Sequence, residues 1–388
     1  MNKTNISEIQ IVPEEYCRHV YESIDWKFIK PEMTDEERRF INGLIMFYQP
    51  KSVLEIGVSA GSGTLNLLNS LNNTDNTDWT LYSIDNATQV WHDPDLAMGC
   101  YAIEKYSDLL NNKWHLITGK DPADVMERID TQFDFCIIDS DHRHPVEILN
   151  FISVLPRLRD GAIVVLHDIS LYENDHNPLF YYMAAPRLLF SVICADKYVP
   201  QFSGYDTTSP NIAAFQVNDD TRKYCRNLFD ILFFPWYRSI ATKTYQNIRI
   251  LIKKEYATEL LDYFDESVTT NKSLLINHKY GIAGPMLAKD KLNENIVFYG
   301  AGNKMQEILE DFDFFDIDFN FPIWDINADK LIEIHGYPVS APDYAKIKRN
   351  DKILIITIEN KQIASEVKAR FELLGYNAYH GLKSYYQN

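Results

Sequence analysis

The stretch Val53 to Thr64 reads VLEIGVSAGSGT. Val53, Leu54, Glu55 and Ile56 have the composition of a buried strand, Gly57, Gly61 and Gly63 follow, and Leu65, Leu68 and Leu71 then recur on one side of a helix. The pattern predicts a strand, a glycine turn and a helix start. Glycine suits the turn because the backbone must bend tightly and let a ligand approach without a Cβ in the way. The helix N-terminus beyond offers unpaired N–H groups. Such a loop is a candidate nucleotide cradle, and it is equally the tight connection of an ordinary α/β sheet, so its surroundings decide between the two.

On its N-terminal side, residues 1–50 read as a helical lid or buttress. Thr34 and Glu37 fit a capping box, and Phe40, Ile41, Leu44, Ile45 and Tyr48 form a largely apolar stripe that ends near Pro50. On its C-terminal side, strands and helices alternate with short connections, which predicts a doubly wound, mainly parallel α/β sheet over residues 51–220. The expected strands are Leu81 to Ile84, Trp114 to Thr118, Phe135 to Ile138, Ala162 to Leu166, Val192 to Cys194 and Ile212 to Val217. Helices are expected over 94–110, from Asp121-Pro122, through Ile148 to Leu155 and around 179–190. The runs at 135–138 and 162–166 are apolar without alternation, as buried central strands are. Residues 221–290 carry helical spacing and read as a linker. From Asn295, IVFYGAG opens a second, smaller Rossmann-like unit over 291–388.

In a doubly wound sheet, ligands bind beyond the carboxyl ends of the strands. Taken in order, those ends carry Glu55 with Gly57, Asp85, Gly119-Lys120-Asp121, Asp139-Ser140-Asp141-His142, and His167-Asp168. This is an acidic rim on a glycine loop. Asp85 closes the second strand, where a carboxylate can grip both hydroxyls of a ribose.

On these motifs, residues 53–217 resemble the class I S-adenosylmethionine-dependent methyltransferases. Glu55, Gly57, Gly61 and Gly63 match that family's first motif and Asp85 its second acidic position. The segments IIDSDHRHP (Ile137 to Pro145) and AIVVLHD (Ala162 to Asp168) resemble a subgroup that modifies sugars and other small molecules, with cephalosporin-hydroxylase-like relatives. The resemblance implies cofactor contacts from Glu55, Gly57, Ser59, Gly61, Ser62, Asp85, Asn86, Asp121 and Asp139. It also implies a divalent metal, Mg²⁺ or Mn²⁺, on Asp139, His167 and Asp168. The better-known metal-dependent members carry Asp-Asn where this chain has His167-Asp168, and an imidazole donor moves preference toward Mn²⁺, Fe²⁺ or Zn²⁺. Alternatively, Asp168 caps the next helix and His167 is a satisfied polar residue.

Methyl transfer to a hydroxyl needs proximity and a route for the acceptor proton. His142, following the Asp139 strand end, is the candidate base, with Asp139 beside it; the alternative is that His142 hydrogen-bonds a loop carbonyl. Tyr172, Phe180, Tyr181 and Tyr182 make an aromatic stretch suited to stacking on a sugar ring, or to packing in a helix core. In the second unit, Gly300 and Gly302 supply two glycines of a dinucleotide fingerprint, Met305 replaces the third, and Asp325 closes the next strand. The competing function is therefore an NAD-dependent oxidoreductase or sugar-nucleotide enzyme built on that unit.

The 388 residues suffice for two or three cores, and 46% hydrophobic with 24% charged content is that of a globular chain. A formal charge of −17 argues against binding nucleic acid or anionic membranes. Cys17, Cys100, Cys136, Cys194 and Cys225 are scattered without CxxC spacing and read as reduced thiols. No signal-like or membrane-spanning run is evident, so the expected location is the cytoplasm and the expected partner a small-molecule or glycan acceptor, with homo-oligomerisation left open.

Overall fold

The computed structural model describes residues 9–17, 32–90, 93–173, 182–202, 209–280, 296–342 and 353–386. The chain divides into two compact units. One holds Met1–Arg238 and Gln246–Ser267, the other Ser239–Tyr245 and Val268–Asn388. The segment read as a linker is thus shared between them.

In the first unit the strands are β1 (Ile9–Val12), β2 (Ser52–Ile56), β3 (Thr80–Asp85), β4 (Gln89–Val90), β5 (Asp93–Ala97), β6 (Trp114–Thr118), β7 (Phe133–Ile138), β8 (Leu158–Leu166), β9 (Asp196–Pro200) and β10 (Ala213–Gln216). Eight of them form one sheet in the order β1-β9-β10-β8-β7-β2-β3-β6. β6, β3, β2, β7 and β8 run parallel, and β10 is inserted antiparallel between β8 and β9. From β2 the chain winds outward through β3 and β6, then returns to lay β7 and β8 on the other side. The strand order therefore reverses between β2 and β7. Val53, Leu54, Phe135, Cys136, Ile163, Val164 and Val165 are almost completely buried, as a sheet covered on both faces requires. Each such side chain contributes about 1.5–3 kcal/mol relative to exposure.

The helices that position the site are α1 (Asp35–Tyr48), α2 (Ser62–Asn72), α3 (Cys100–Tyr106), α4 (Pro122–Val125), α5 (Val146–Val154) and α6 (Ala185–Val192). α1 starts in the expected capping box, with Glu37 N–H donating to Thr34 Oγ1 and Thr34 N–H donating to Glu37 Oε2 at 2.6 Å. The structure corrects several local expectations. The N-terminal segment is not wholly helical: Ile9–Val12, rich in β-branched residues, pairs parallel with β9. The helix expected over 94–110 is reduced to Cys100–Tyr106, because β5 pairs back onto β4 and Gly99 turns at φ +73°. The strand expected at Val192 to Cys194 is displaced to Asp196–Pro200, since α6 runs on through Val192. Phe180 and Tyr181 lie outside the described residues.

The second unit holds a six-stranded sheet. Its strands are β11 (Ile296–Tyr299), β12 (Ile323–Trp324), β13 (Glu333–Ile334), β14 (Tyr337–Ser340), β15 (Ile353–Ile356) and β16 (Asn377–His380), in the order β13-β14-β12-β11-β15-β16. All pairs are parallel except β13 with β14. Met305, at the position of the missing third glycine, is fully buried in this unit's core. Asp311, also buried, pairs with Lys279 and accepts from Ser239 Oγ at 2.6 Å. Asp311→Ala strands a shielded ammonium and a hydroxyl at once. It is expected to destabilise this unit by roughly 3 kcal/mol in denaturant titration, and a change under ~0.5 kcal/mol would contradict that account.

Candidate active site

β2 and β7 meet where the strand order reverses. There the chain is packed so closely that a Cβ on Gly57 would sit 1.7 Å from the carbonyl oxygen of Asp139. Gly57 has φ +91°, a conformation that only glycine adopts without strain. Gly61, at the same φ, abuts Gly99, whose Cα would be 2.9 Å from an added Cβ. The Gly99 and Tyr101 amides donate to the carbonyls of Ser59 and Ala60 at 2.8 and 3.0 Å, so the start of α3 braces the glycine loop.

Asp85 fastens the loop from the other side. Its Oδ2 accepts from the amides of Val58 at 2.8 Å and Ser59 at 3.3 Å, and its Oδ1 accepts from the Ala87 amide at 2.9 Å. Ser59 lies at φ +49° and its hydroxyl is buried without a hydrogen-bond partner. Ser62 donates from Oγ to Glu32 Oε2 at 3.0 Å. Asn86 is exposed. Asp121 takes part in a capping box with Asp124 at the start of α4.

Glu55 lies beneath this loop, only 2% exposed, and accepts from Thr64 Oγ1 at 2.8 Å. Burial pushes its pKa up to about 8 against the hydroxyls of Ser83 and Thr64, and the charges of Asp139 and Asp85 push the same way. Between its ordinary value of 4.5 and about 8, the folded protein holds a proton here that the unfolded chain releases, so stability falls as pH rises through that window. Glu55→Gln removes this slope. Its stability relative to wild type is expected to rise by about 2 kcal/mol or more between pH 5 and pH 8.5, since each pKa unit is worth about 1.4 kcal/mol. Parallel denaturation curves at both pH values would rule this out.

The ends of β7 and β8 and the loop before α5 bring Asp139, His142 and Asp168 together, with one ligating atom from each within 4.8 Å of the others. His142 Nε2 is 3.1 Å from Asp168 Oδ2 and 3.7 Å from Asp139 Oδ1, while Nδ1 is 3.0 Å from Glu147 Oε1. Glu147 is fully buried. Burial opposes charge on His142, but contacts with Asp168 and Glu147 outweigh it and raise its pKa well above the ordinary imidazole range.

His167 stands behind the cluster. It is 2% exposed, with Nδ1 hydrogen-bonded to Asp139 Oδ1 at 3.1 Å and Nε2 3.3 Å from Glu37 Oε2. Asp139 and Asp168 converge, and both imidazoles reach them: His167 Nδ1 lies 3.1 Å from Asp139 Oδ1 and 3.6 Å from Asp168 Oδ1, and His142 joins the same two carboxylates from the loop before α5. Three residues of the arrangement escaped sequence reasoning. Glu37 carried only a capping signal, Glu147 none beyond its place in α5, and Asn211 precedes β10 in a stretch without motif. Asn211 is found with its Nδ2 bonded to both Glu37 and Asp168. Tyr182 packs against Tyr237 with ring centroids 4.5 Å apart, and Ala185 N–H of α6 donates to the His142 carbonyl at 3.1 Å.

Fold and site together define a doubly wound α/β domain whose glycine loop and acidic cluster sit at the point where the strand order reverses, the place where such sheets bind ligands. Residues 54–169 match the family model described as a methyltransferase domain. Among curated proteins, none matches the chain in sequence. Similar solved structures include the O-methyltransferase from Bacillus cereus in complex with S-adenosylhomocysteine, 18% identical over 48% of this chain and 83% of that one, with a TM-score of 0.36. TomG from Streptomyces achromogenes, an O-methyltransferase involved in tomaymycin synthesis and bound to S-adenosylmethionine, is 16% identical over 50% and 84%, with a TM-score of 0.37. The MycE methyltransferase of the mycinamycin pathway, in complex with Mg, S-adenosylhomocysteine and mycinamycin VI, is 18% identical over 46% and 49%, with a TM-score of 0.31. Among the described residues no helix is long and apolar enough to cross a membrane.

Proposed function

We propose that the first unit transfers a methyl group to a hydroxyl of a small acceptor, a sugar or similar metabolite, with a divalent cation held by Asp139, His142 and Asp168. The observation that carries this reading is the convergence of those three side chains beside Gly57, opposite a glycine loop fastened by Asp85. The cofactor, when bound, supplies an electrophilic methyl group on a sulfonium. Asp85 Oδ1, with a single amide donor, keeps lone-pair capacity for a ribose hydroxyl, and the unpartnered Ser59 hydroxyl is a further polar group available to a ligand on the loop. The cation, when bound, supplies the charge that acidifies an acceptor hydroxyl.

The chain's own chemistry then rests on His142. Glu147 Oε1 stands 3.0 Å from Nδ1 while Nε2 lies toward Asp139 and Asp168, so the ring sits between carboxylates with one nitrogen on the side of the cation position. An imidazolium paired with Asp168 and a neutral imidazole ligating a cation exclude one another, so cation binding should release a proton. All five cysteines carry free thiols, which suits work in the cytoplasm.

The test is calorimetry of the full chain with S-adenosylhomocysteine, with and without Mn²⁺. Saturable binding at one site per chain is expected. Absence of heat at saturating ligand would overturn the reading.

A second reading for residues 296–386 is a nicotinamide or sugar nucleotide on Gly300 and Gly302. Asp325 Oδ2 accepts from the Ala301 amide at 2.8 Å, as Asp85 does from Val58, and a Cβ on Gly302 would meet nothing within 4 Å. The buried Met305 weighs against it. A rise in melting temperature with NADH, absent with S-adenosylhomocysteine, would support it.

A further inference from the structure

The two carboxylates aimed at His142 do not hold their positions alone. Asp168 sits at φ +56°, a left-handed conformation for a residue with a side chain, and such strain persists only where neighbours enforce it. The neighbour here is Asn211. Its Nδ2 donates to Asp168 Oδ1 at 3.0 Å and to Glu37 Oε1 at 2.7 Å, so one amide group spans both carboxylates. Asn211 is itself fixed. Its carbonyl oxygen accepts from the Ile169 amide at 3.0 Å, and its Oδ1 accepts from Ser170 Oγ at 3.0 Å.

Glu37 is only 2% exposed and uses its other oxygen twice, toward the Thr34 amide and toward His167 Nε2 at 3.3 Å. Through His167 Nδ1 that contact continues to Asp139. A capping glutamate would have served α1 equally well in solvent. Burying it costs solvation, and its contacts with His167, Asn211 and the Thr34 amide offset that cost and tie α1 to the cluster.

We infer that Glu37 and Asn211 are positioning residues for the methyl-transfer site, setting Asp139 through His167 and Asp168 directly, so that α1 controls the geometry around the His142 imidazole. The inference rests on the functional reading above. It assigns His167 to the support of the site rather than to cation ligation. Orienting partners behind ligands commonly change affinity or activity by about 10- to 100-fold when removed.

The experiment is long-range ¹H–¹⁵N spectroscopy of the histidine ring nitrogens in the full chain, with the His142 signals assigned by their disappearance in His142→Gln. Glu37→Gln and Asn211→Ala are each expected to shift the His142 ring nitrogens by several ppm. Thr34→Ala removes the cap's hydroxyl but leaves the Glu37 contacts, and should leave those signals at their wild-type positions. His142 signals unmoved in both Glu37→Gln and Asn211→Ala would overturn the inference, and so would Thr34→Ala moving them as far as Glu37→Gln does. Should one of the two variants fail to fold, the other decides. S-adenosylhomocysteine affinity, measured alongside, should stay within about twofold in all three variants, because Asp85 bonds the loop amides and none of these residues. Loss of binding in the wild type would refute methyl transfer while leaving the spectroscopic answer intact.

Discussion

Replacing Asp85 by alanine is expected to weaken S-adenosylhomocysteine binding by about 100-fold or more and to destabilise the first unit by about 2 kcal/mol. Both effects come from one carboxylate. It accepts from three backbone amides, those of Val58, Ser59 and Ala87, and charge-assisted bonds of this kind are worth about 1.5–3 kcal/mol each before water takes over the freed donors. Without it the amides of Val58 and Ser59 lose their shared acceptor, and Ser59 loses one restraint on its positive φ. The loop is then ordered only on ligand binding, so the cost of ordering it is subtracted from affinity. Asp85→Asn keeps an acceptor oxygen and should fall between wild type and alanine. Calorimetry and urea denaturation on the same preparations separate the two effects. Alanine binding as tightly as wild type would remove Asp85 from the site.

Gly57→Ala should be still more damaging, to folding rather than to binding alone. An added methyl would stand 1.7 Å from Asp139 O and 2.5 Å from its carbonyl carbon, against backbone that cannot rotate away. The left-handed φ adds roughly 1–2 kcal/mol for any residue with a Cβ, and forced separation of packed elements typically adds about 1–3 kcal/mol. A loss of at least ~3 kcal/mol is expected, seen as a lowered urea midpoint or as insoluble protein. Gly302→Ala is the control. That glycine has φ −88° and open space where the methyl would go, so stability should change by under ~1 kcal/mol. Equal damage at both positions would mean that crowding between β2 and β7 is not what demands glycine.

What could be read from residues alone follows from range. Glu55, Gly57, Asp85, Asp139 and Asp168 stand at the ends of apolar runs, and the doubly wound pattern sends all such ends to one rim, so their grouping was legible without coordinates. Glu37, Glu147 and Asn211 carried no such signal. Glu37 is 130 positions from His167, and a capping box explains its presence completely until its second oxygen is seen bonded to Asn211. His167 follows β8 directly and does approach Asp139 and Asp168, whereas the approach of His142 to Asp168 depends on how the loop before α5 folds, which no local pattern announces. The helix expected over 94–110 failed because Met98, Ile103 and Tyr106 match helical spacing, while the turn at Gly99 is demanded by contact with Gly61, a tertiary requirement that overrides local preference.

The order in which the backbone visits its two units bears on how the protein can be taken apart. It leaves the first after Arg238, returns at Gln246 and departs again after Ser267. A cut after Arg238 therefore releases neither unit whole. A fragment stopped at residue 238 would forfeit Ile248, Leu251 and Ile252, three side chains sunk in the first unit, and would present their vacated apolar sockets to water. A fragment so truncated should be sticky and short-lived, whereas one carried on to Ser267 keeps those side chains and should stay in solution.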